Sequence, residues 1–469
     1  MFDCRSFSDN TAVITDKGER LTYGELVAEI ARFAGVMEEK GLLFCLCENR
    51  LASFVGYVAC MEHHIPIVLL DGYKDVSVLW NLIDIYQPEY LWVETEKAGA
   101  FGGRTVYGYA SYSLQRMSYG AAVEKPEIHP DLALCLTTSG STGSPKFVRL
   151  SAGNVLSNAA SIAEYLAIDE NERPVTTLPS YYSYGVSVIN SHLIKGATLL
   201  LTEGTIAQRE FWSFMKEQQA TSIAGVPYTY EMLKRLRFFR MDLPFLKTMT
   251  QAGGKLNPDL AREYIAYAED KGKRFFVMYG QTEATARMSY LPPEYALEKY
   301  ASIGIPIPGG KFSLVDVTEN PIEAADTDGE LVYEGPNVSL GYAECRADLA
   351  KGDENHGVLH TGDIARRDED GFYYITGRLK RFVKVWGNRC NLDAVEQMVK
   401  TVTTDCACVG VDDRISIFVT EEGLTDRIVG LLTEKTGLNS RAFTVRVIDV
   451  IPKNASGKIH YPELQELIV

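Results

Sequence analysis

The sequence has no pair of cysteines spaced as CxxC, and its nine cysteines are scattered, so the dithiol and zinc motifs built on that spacing are missing. Cys45 and Cys47, like Cys406 and Cys408, alternate through apolar stretches. Each pair is expected on one face of a strand, as buried, reduced thiols. The seven histidines carry no metal-ligand spacing, and the adjacent His63 and His64 have no evident third partner. No apolar run is long enough to cross a bilayer. The stretch from Met1 to Arg5 lacks the charged-then-apolar pattern of a secretion signal, so a cytoplasmic location is expected. Basic charge is scarce: 47 Lys and Arg against 62 Asp and Glu give a net charge of -15. A general nucleic-acid binder would show a basic footprint, so no nucleic-acid partner is expected. One local cluster, Lys380, Arg381, Lys384 and Arg389, still leaves room for a small anionic ligand.

What is present is ample apolar material. The 469 residues are 46% hydrophobic and 23% charged, enough for more than one core. Thr22 and Glu25 fit a capping box opening a helix that is expected to run to about Lys40. Leu42 to Cys47 reads as a buried strand, 52–62 as a helix and 65–70 as another strand. Strand patterns recur at 133–137, 197–201, 221–226 and 275–279. Strands separated by helices imply βαβ units and a parallel sheet. From about Lys311 short strands and glycine-containing turns take over, among them 329–333, which suggests a β-rich subdomain. After Arg378 the texture is α+β. The expected fold is α/β: a large N-terminal domain of layered βαβ sheets with a β-rich subdomain, then a small α+β C-terminal domain.

Four segments carry chemistry. Thr138-Ser139-Gly140-Ser141-Thr142-Gly143, followed by Ser144-Pro145-Lys146, comes directly after an apolar strand. Glycines let backbone N–H groups approach an anion, hydroxyls add donors and Lys146 adds charge, as a polyphosphate cradle requires. The Gly-Lys-Ser/Thr ending of a Walker loop is missing. Tyr279-Gly280-Gln281-Thr282-Glu283 also follows a strand, where a carboxylate can hold Mg²⁺ together with substrate phosphates. His360-Thr361-Gly362-Asp363, with Arg378 further on, supplies a carboxylate of the kind that accepts ribose hydroxyls. Pro452 to Lys458 puts Lys458 on a Gly/Ser loop. Taken singly, each of these could be an ordinary surface loop or turn.

Together and in this order, they resemble the acyl-adenylate-forming superfamily of acyl- and aryl-CoA synthetases, peptide-synthetase adenylation domains and luciferases. The similarity runs from about Leu21 to Lys458. The resemblance implies ATP, Mg²⁺ and either CoA or a carrier-protein phosphopantetheine as the groups used. It implies that the 138–146 loop grips the β- and γ-phosphates, that Thr282 touches the α-phosphate and that Glu283 holds the metal. Ala252, Gly253 and Gly254 would line the adenine and acyl pockets, with Tyr279 near the adenine. Asp363, helped by Arg378, would bind the ribose. Tyr184 and Gly185 would border the acyl pocket, Gly387 the thiol tunnel, and Lys458 would be the mobile lysine needed for adenylation. The domain boundary implied is 1–379 against a mobile 380–469, with a hinge near Lys380.

The activity implied is activation of a carboxylic acid as acyl-AMP, then transfer to a thiol. No Asp stands between Leu178 and Gly196, where amino-acid-activating members bind the α-ammonium, so a fatty or aryl acid is favoured. Trp386 ahead of Gly387, Tyr461 in place of a frequent basic residue, and a short connection at 410–415 depart from the family. They leave CoA and an acyl carrier protein as alternative thiol donors. A non-catalytic nucleotide-binding protein on the same fold is the distant alternative. A kinase or P-loop ATPase is disfavoured by the missing Walker ending.

Overall fold

The structure is a computed structural model. It describes residues 1–38, 40–119, 126–137, 146–386, 388–411, 413–453 and 459–468. The candidate residues 138–143, Gly387 and Lys458 lie outside these. Two compact units separate by their internal contacts. One takes in the described residues up to Lys311 together with Glu334–Leu359. The other comprises Phe312–Tyr333 and His360–Val469.

The first unit is built on two sheets. In one, strands Leu132–Thr137, Ile67–Asp71, Leu43–Cys47 and Tyr90–Glu94 run parallel side by side. Antiparallel strands flank them, among them Phe147–Ser151 and Gly341–Ala343. In the other, Pro174–Val175, Ser222–Gly225, Thr248–Gln251 and Arg274–Tyr279 are parallel. The strand–helix alternation in the sequence therefore resolves into parallel pairing, as expected of βαβ connections.

Two helices, Leu51–His63 and Ser183–Leu193, are buried along almost their whole length. A helix that is buried on every side belongs inside a layered fold, not on its surface. Val55, Val58, Val186 and Ile189 share one core with Val13 and Leu199 from one sheet and Leu43, Leu69 and Leu134 from the other. The capping box forms as read: Thr22 Oγ1 accepts from Glu25 N at 3.1 Å, and Glu25 accepts from Thr22 N at 2.8 Å. The helix it opens ends at Gly35, short of Lys40. Glycine weakens a helix and is common at its end.

Eight of the nine cysteines are buried, the two expected pairs among them, and Cys345 is exposed. Cys45 and Cys47 do share a face, with their sulfurs 3.5 Å apart.

The second unit holds a four-stranded sheet of Lys311–Val315, Gly329–Glu334, Val358–Arg367 and Tyr373–Arg378, the β-rich texture seen in the sequence. Further along, Cys406–Val411, Arg414–Val419 and Phe443–Val447 form a sheet packed by helices Leu392–Lys400 and Thr425–Thr436. Tyr461 has a local explanation. The Arg381 guanidinium lies 3.7 Å from its ring centre, and its hydroxyl donates to Glu396 at 3.0 Å. A basic side chain there would lose this ring contact and face Arg381 with like charge.

Candidate active site

Ligand sites in open α/β sheets form outside the carboxyl ends of parallel strands. In the first unit, strands ending at Val175, Gly225, Gln251 and Tyr279 are parallel, so the segments that follow them leave from one edge of the sheet. Among these are the 179–185 tyrosine segment, the 252–254 glycine turn and the 280–287 loop.

The 280–287 loop is held from several sides. Antiparallel pairing of Tyr279 with Ser289 closes its base. Thr285 and Ala286 both take positive φ, 57° and 100°, conformations that side chains with a Cβ adopt only at a cost. Neighbouring groups hold them there. Asn337, 2% exposed, donates through Nδ2 to the Ala284 carbonyl at 2.7 Å and to the Arg287 carbonyl at 3.1 Å. Thr285 Oγ1 donates to the Asn337 carbonyl at 2.6 Å. Gly280 is required by close approach: a Cβ there would sit 1.8 Å from the Ala286 carbonyl oxygen. Gly280→Ala is accordingly expected to destabilise the first unit by about 2–3 kcal/mol, read as a lower denaturation midpoint together with weaker nucleotide binding. An unchanged midpoint would show that the loop is looser than its contacts indicate.

This support brings several expected residues together. Ser183 Oγ and Thr282 Oγ1 are 3.0 Å apart. A Cβ on Gly253, whose φ is +83°, would meet the Tyr182 hydroxyl at 2.5 Å, so the tyrosine packs directly on the glycine turn. Burial pushes the Tyr182 phenol up to about 12. Gln251 Nε2 donates to the Gly254 carbonyl at 2.9 Å and holds the turn, and Ala252 follows it, buried. The buried Tyr184 hydroxyl donates to the Thr250 carbonyl at 2.8 Å. Gly185 packs where a Cβ would lie 2.1 Å from the Pro179 carbonyl oxygen. The Tyr279 hydroxyl accepts from Gln281 Nε2 at 3.3 Å.

Glu283 and Lys146 meet through a residue that no motif marked. Tyr342 donates its hydroxyl to Glu283 Oε1 at 2.7 Å, and Lys146 Nζ stands 3.8 Å from the centre of its ring. Burial, with Glu283 adding, holds the Tyr342 phenol well above its usual value, so it donates to the carboxylate as a neutral hydroxyl. A carboxylate with hydroxyls nearby is a hard oxygen set, which fits Mg²⁺ and not a soft metal. No described group of three or more His, Cys, Asp or Glu forms a cage for a metal on its own, and Mg²⁺ ordinarily borrows ligands from substrate phosphates.

A family model described as AMP-binding enzyme matches residues 3–343, the span that contains this loop and its supports. The chain belongs to the AMP-binding enzyme family. Among curated relatives, a feruloyl-CoA synthase of Amycolatopsis sp is 27% identical over 480 residues, covering 96% of this chain and 95% of that one. A 2-succinylbenzoate–CoA ligase of Bacillus licheniformis is 29% identical over 477 residues, with 96% and 95% coverage. Among solved structures, the O-succinylbenzoate coenzyme A synthetase of Bacillus subtilis in complex with AMP superimposes with TM-score 0.78 at 20% identity, covering 98% of this chain and 96% of that one. This AMP-binding enzyme therefore has the fold of that protein; its family match and its curated relatives make it an AMP-forming acid–thiol ligase.

In the second unit of the AMP-binding enzyme, Asp363 is buried and Arg378 exposed, and the two form an ion pair with Arg378 Nε 2.9 Å from Asp363 Oδ1. Their strands pair directly, Asp363 opposite Arg378. Among the described residues no helix is long and apolar enough to cross a membrane.

Proposed function

We propose that this enzyme uses ATP to activate a fatty or aryl carboxylic acid as its acyl-AMP and then transfers the acyl group to CoA. The observation that carries the reading is the grouping of Thr282, Glu283 and Lys146 around one held loop of a chain matched by the AMP-binding model. The relatives named as CoA ligases support the choice of thiol.

In the first step a carboxylate oxygen attacks the α-phosphorus of ATP, forming the acyl–phosphate bond as pyrophosphate leaves. No general base is needed, because the acid is already ionised. The protein's work is positioning and charge stabilisation. Thr282 orients the α-phosphate, Lys146 and the 138–143 loop hold the β- and γ-phosphates, and Lys458 offsets charge at the reacting centre. Asp363 and Arg378 hold the ribose, and Tyr279, Gly253 and Gly254 the adenine. Glu283, with Thr282 nearby, would hold Mg²⁺, which supplies charge neutralisation at the phosphates. In the second step a thiol attacks the acyl carbonyl and AMP departs. Lys458 and an incoming thiol compete for one place, and rotation of residues 380–469 about Lys380 relieves that competition, with Gly387 lining the thiol's path.

The buried helix Ser183–Leu193 carries no carboxylate, which supports an acid without an α-ammonium. The buried free thiols suit a reducing, cytoplasmic setting. The test is pyrophosphate exchange with fatty, aryl and amino acids, followed by mass spectrometry with CoA and a holo carrier protein offered together. Exchange with fatty or aryl acids and acyl-CoA as product are expected. Acylation of the carrier alone would move the thiol assignment, and exchange with amino acids alone would overturn the acid assignment.

A further inference from the structure

The chain is strongly acidic, with 62 Asp and Glu against 47 Lys and Arg, yet one stretch of the first unit is the reverse. Residues 231–247 hold five cations, Lys234, Arg235, Arg237, Arg240 and Lys247, and two carboxylates, Glu231 and Asp242. All five cations are exposed. Lys234 pairs with Glu263 at 2.7 Å and Lys247 with Glu172 at 3.4 Å. The side chains of Arg235, Arg237 and Arg240 find no carboxylate and no hydrogen-bond acceptor among the described residues.

The stretch lies along the helix Pro258–Asp270 and is fixed to it by its inward side chains. The Tyr264 hydroxyl donates to the Tyr230 carbonyl at 2.9 Å. The Phe239 ring centre stands 4.8 Å from that of Tyr264 and 4.9 Å from that of Tyr267. Leu233, Phe238, Leu243 and Leu246 are buried. With these side chains facing in, the cations are left on the outward side.

At its end the stretch makes a tight turn, Leu243-Pro244-Phe245-Leu246. Leu246 N donates to the Leu243 carbonyl at 3.3 Å. Lys273 Nζ donates to the same carbonyl at 3.0 Å and to the Leu246 carbonyl at 2.6 Å. Pro244 restricts the backbone further. The turn is therefore held from beneath, and its tip carries the Phe245 ring, 47% exposed.

A single exposed phenylalanine is ordinary on a protein surface. Its place beside three unpaired arginines on an anchored turn is what gives it meaning. An apolar ring can enter the boundary between headgroups and acyl chains, while cations meet anionic headgroups. A protein interface would need an apolar centre of several side chains inside a polar rim. Between residues 231 and 247 only Phe245 is a large apolar side chain this exposed, too little for such a centre. The net charge of -15 repels an anionic bilayer from the acidic faces, so approach is steered to this one.

We propose that this face docks the enzyme on an anionic lipid bilayer, with Phe245 entering the interface and Arg235, Arg237 and Arg240 meeting lipid phosphates.

The test is co-sedimentation of the full chain with phosphatidylcholine vesicles, with and without phosphatidylglycerol. Binding is expected only when phosphatidylglycerol is present, and it should fall as salt is added. Arg235→Gln, Arg237→Gln and Arg240→Gln together should lower the partition coefficient about 100-fold, at about fivefold for each cation. Phe245→Ala should lower it about fivefold. All four side chains are exposed, so the unfolding midpoints of both variants should match wild type. Absence of binding to phosphatidylglycerol vesicles, or equal binding to phosphatidylcholine alone, overturns the proposal. Wild-type binding by either variant overturns it too; a loss confined to the arginine variant would make the face a site for a soluble polyanion such as an acidic protein.

Discussion

Lys458→Ala is expected to lower acyl-AMP formation by about 100- to 1000-fold, the size of loss seen when one preorganised donor is removed from a developing charge. Thioester formation from supplied acyl-AMP should stay close to wild type. The asymmetry follows from the chemistry. In-line displacement at the α-phosphorus gathers negative charge on the phosphate and pyrophosphate, and an ammonium offsets it. Attack of a thiol on the acyl carbonyl expels AMP and builds no new charge on a polyphosphate. Lys458 lies outside the described residues, so its role rests on the Pro452-to-Lys458 segment and the family it resembles. Single-turnover measurement of each half-reaction separates the outcomes, and equal loss of both would remove Lys458 from the first step.

Glu283→Gln is the second large effect. It keeps the shape of the side chain and removes its charge. If Glu283 holds Mg²⁺, pyrophosphate exchange should fall about 100-fold, and the Mg²⁺ concentration for half-maximal rate should rise. Tyr342 offers a control at the same carboxylate. Its hydroxyl donates to Oε1, and its ring lies against Lys146, so Tyr342→Phe removes the hydrogen bond but keeps the packing. The smaller loss expected of Tyr342→Phe would separate orientation of the carboxylate from its charge. An unchanged Mg²⁺ dependence in Glu283→Gln would assign the metal elsewhere.

Much of the architecture was legible because it is local. The Thr22 capping box involves residues three apart, and alternation of strand and helix patterns is enough to imply parallel pairing. The segment around Thr282 was legible for the same reason, since its residues are contiguous. Tyr342 was not, because it reaches Glu283 from 59 residues away through the strand Gly341–Ala343. Asn337 is a similar case, because holding two carbonyls of a distant loop leaves no pattern in the sequence. The exposure of Cys345 was not legible, because it stands in no alternating apolar stretch and ends up in the turn before Arg346. The grouping of Phe312–Tyr333 with His360–Val469 reflects strands joined across the chain, which composition along the chain does not reveal.

The measurement closest to the central claim follows oxygen. An acid labelled with heavy oxygen in its carboxylate, incubated with the enzyme, ATP, Mg²⁺ and CoA, should yield AMP carrying one labelled oxygen, since the attacking oxygen stays on the α-phosphorus when the thiol takes the acyl group. Unlabelled AMP, or ADP and labelled phosphate, would contradict activation through acyl-AMP.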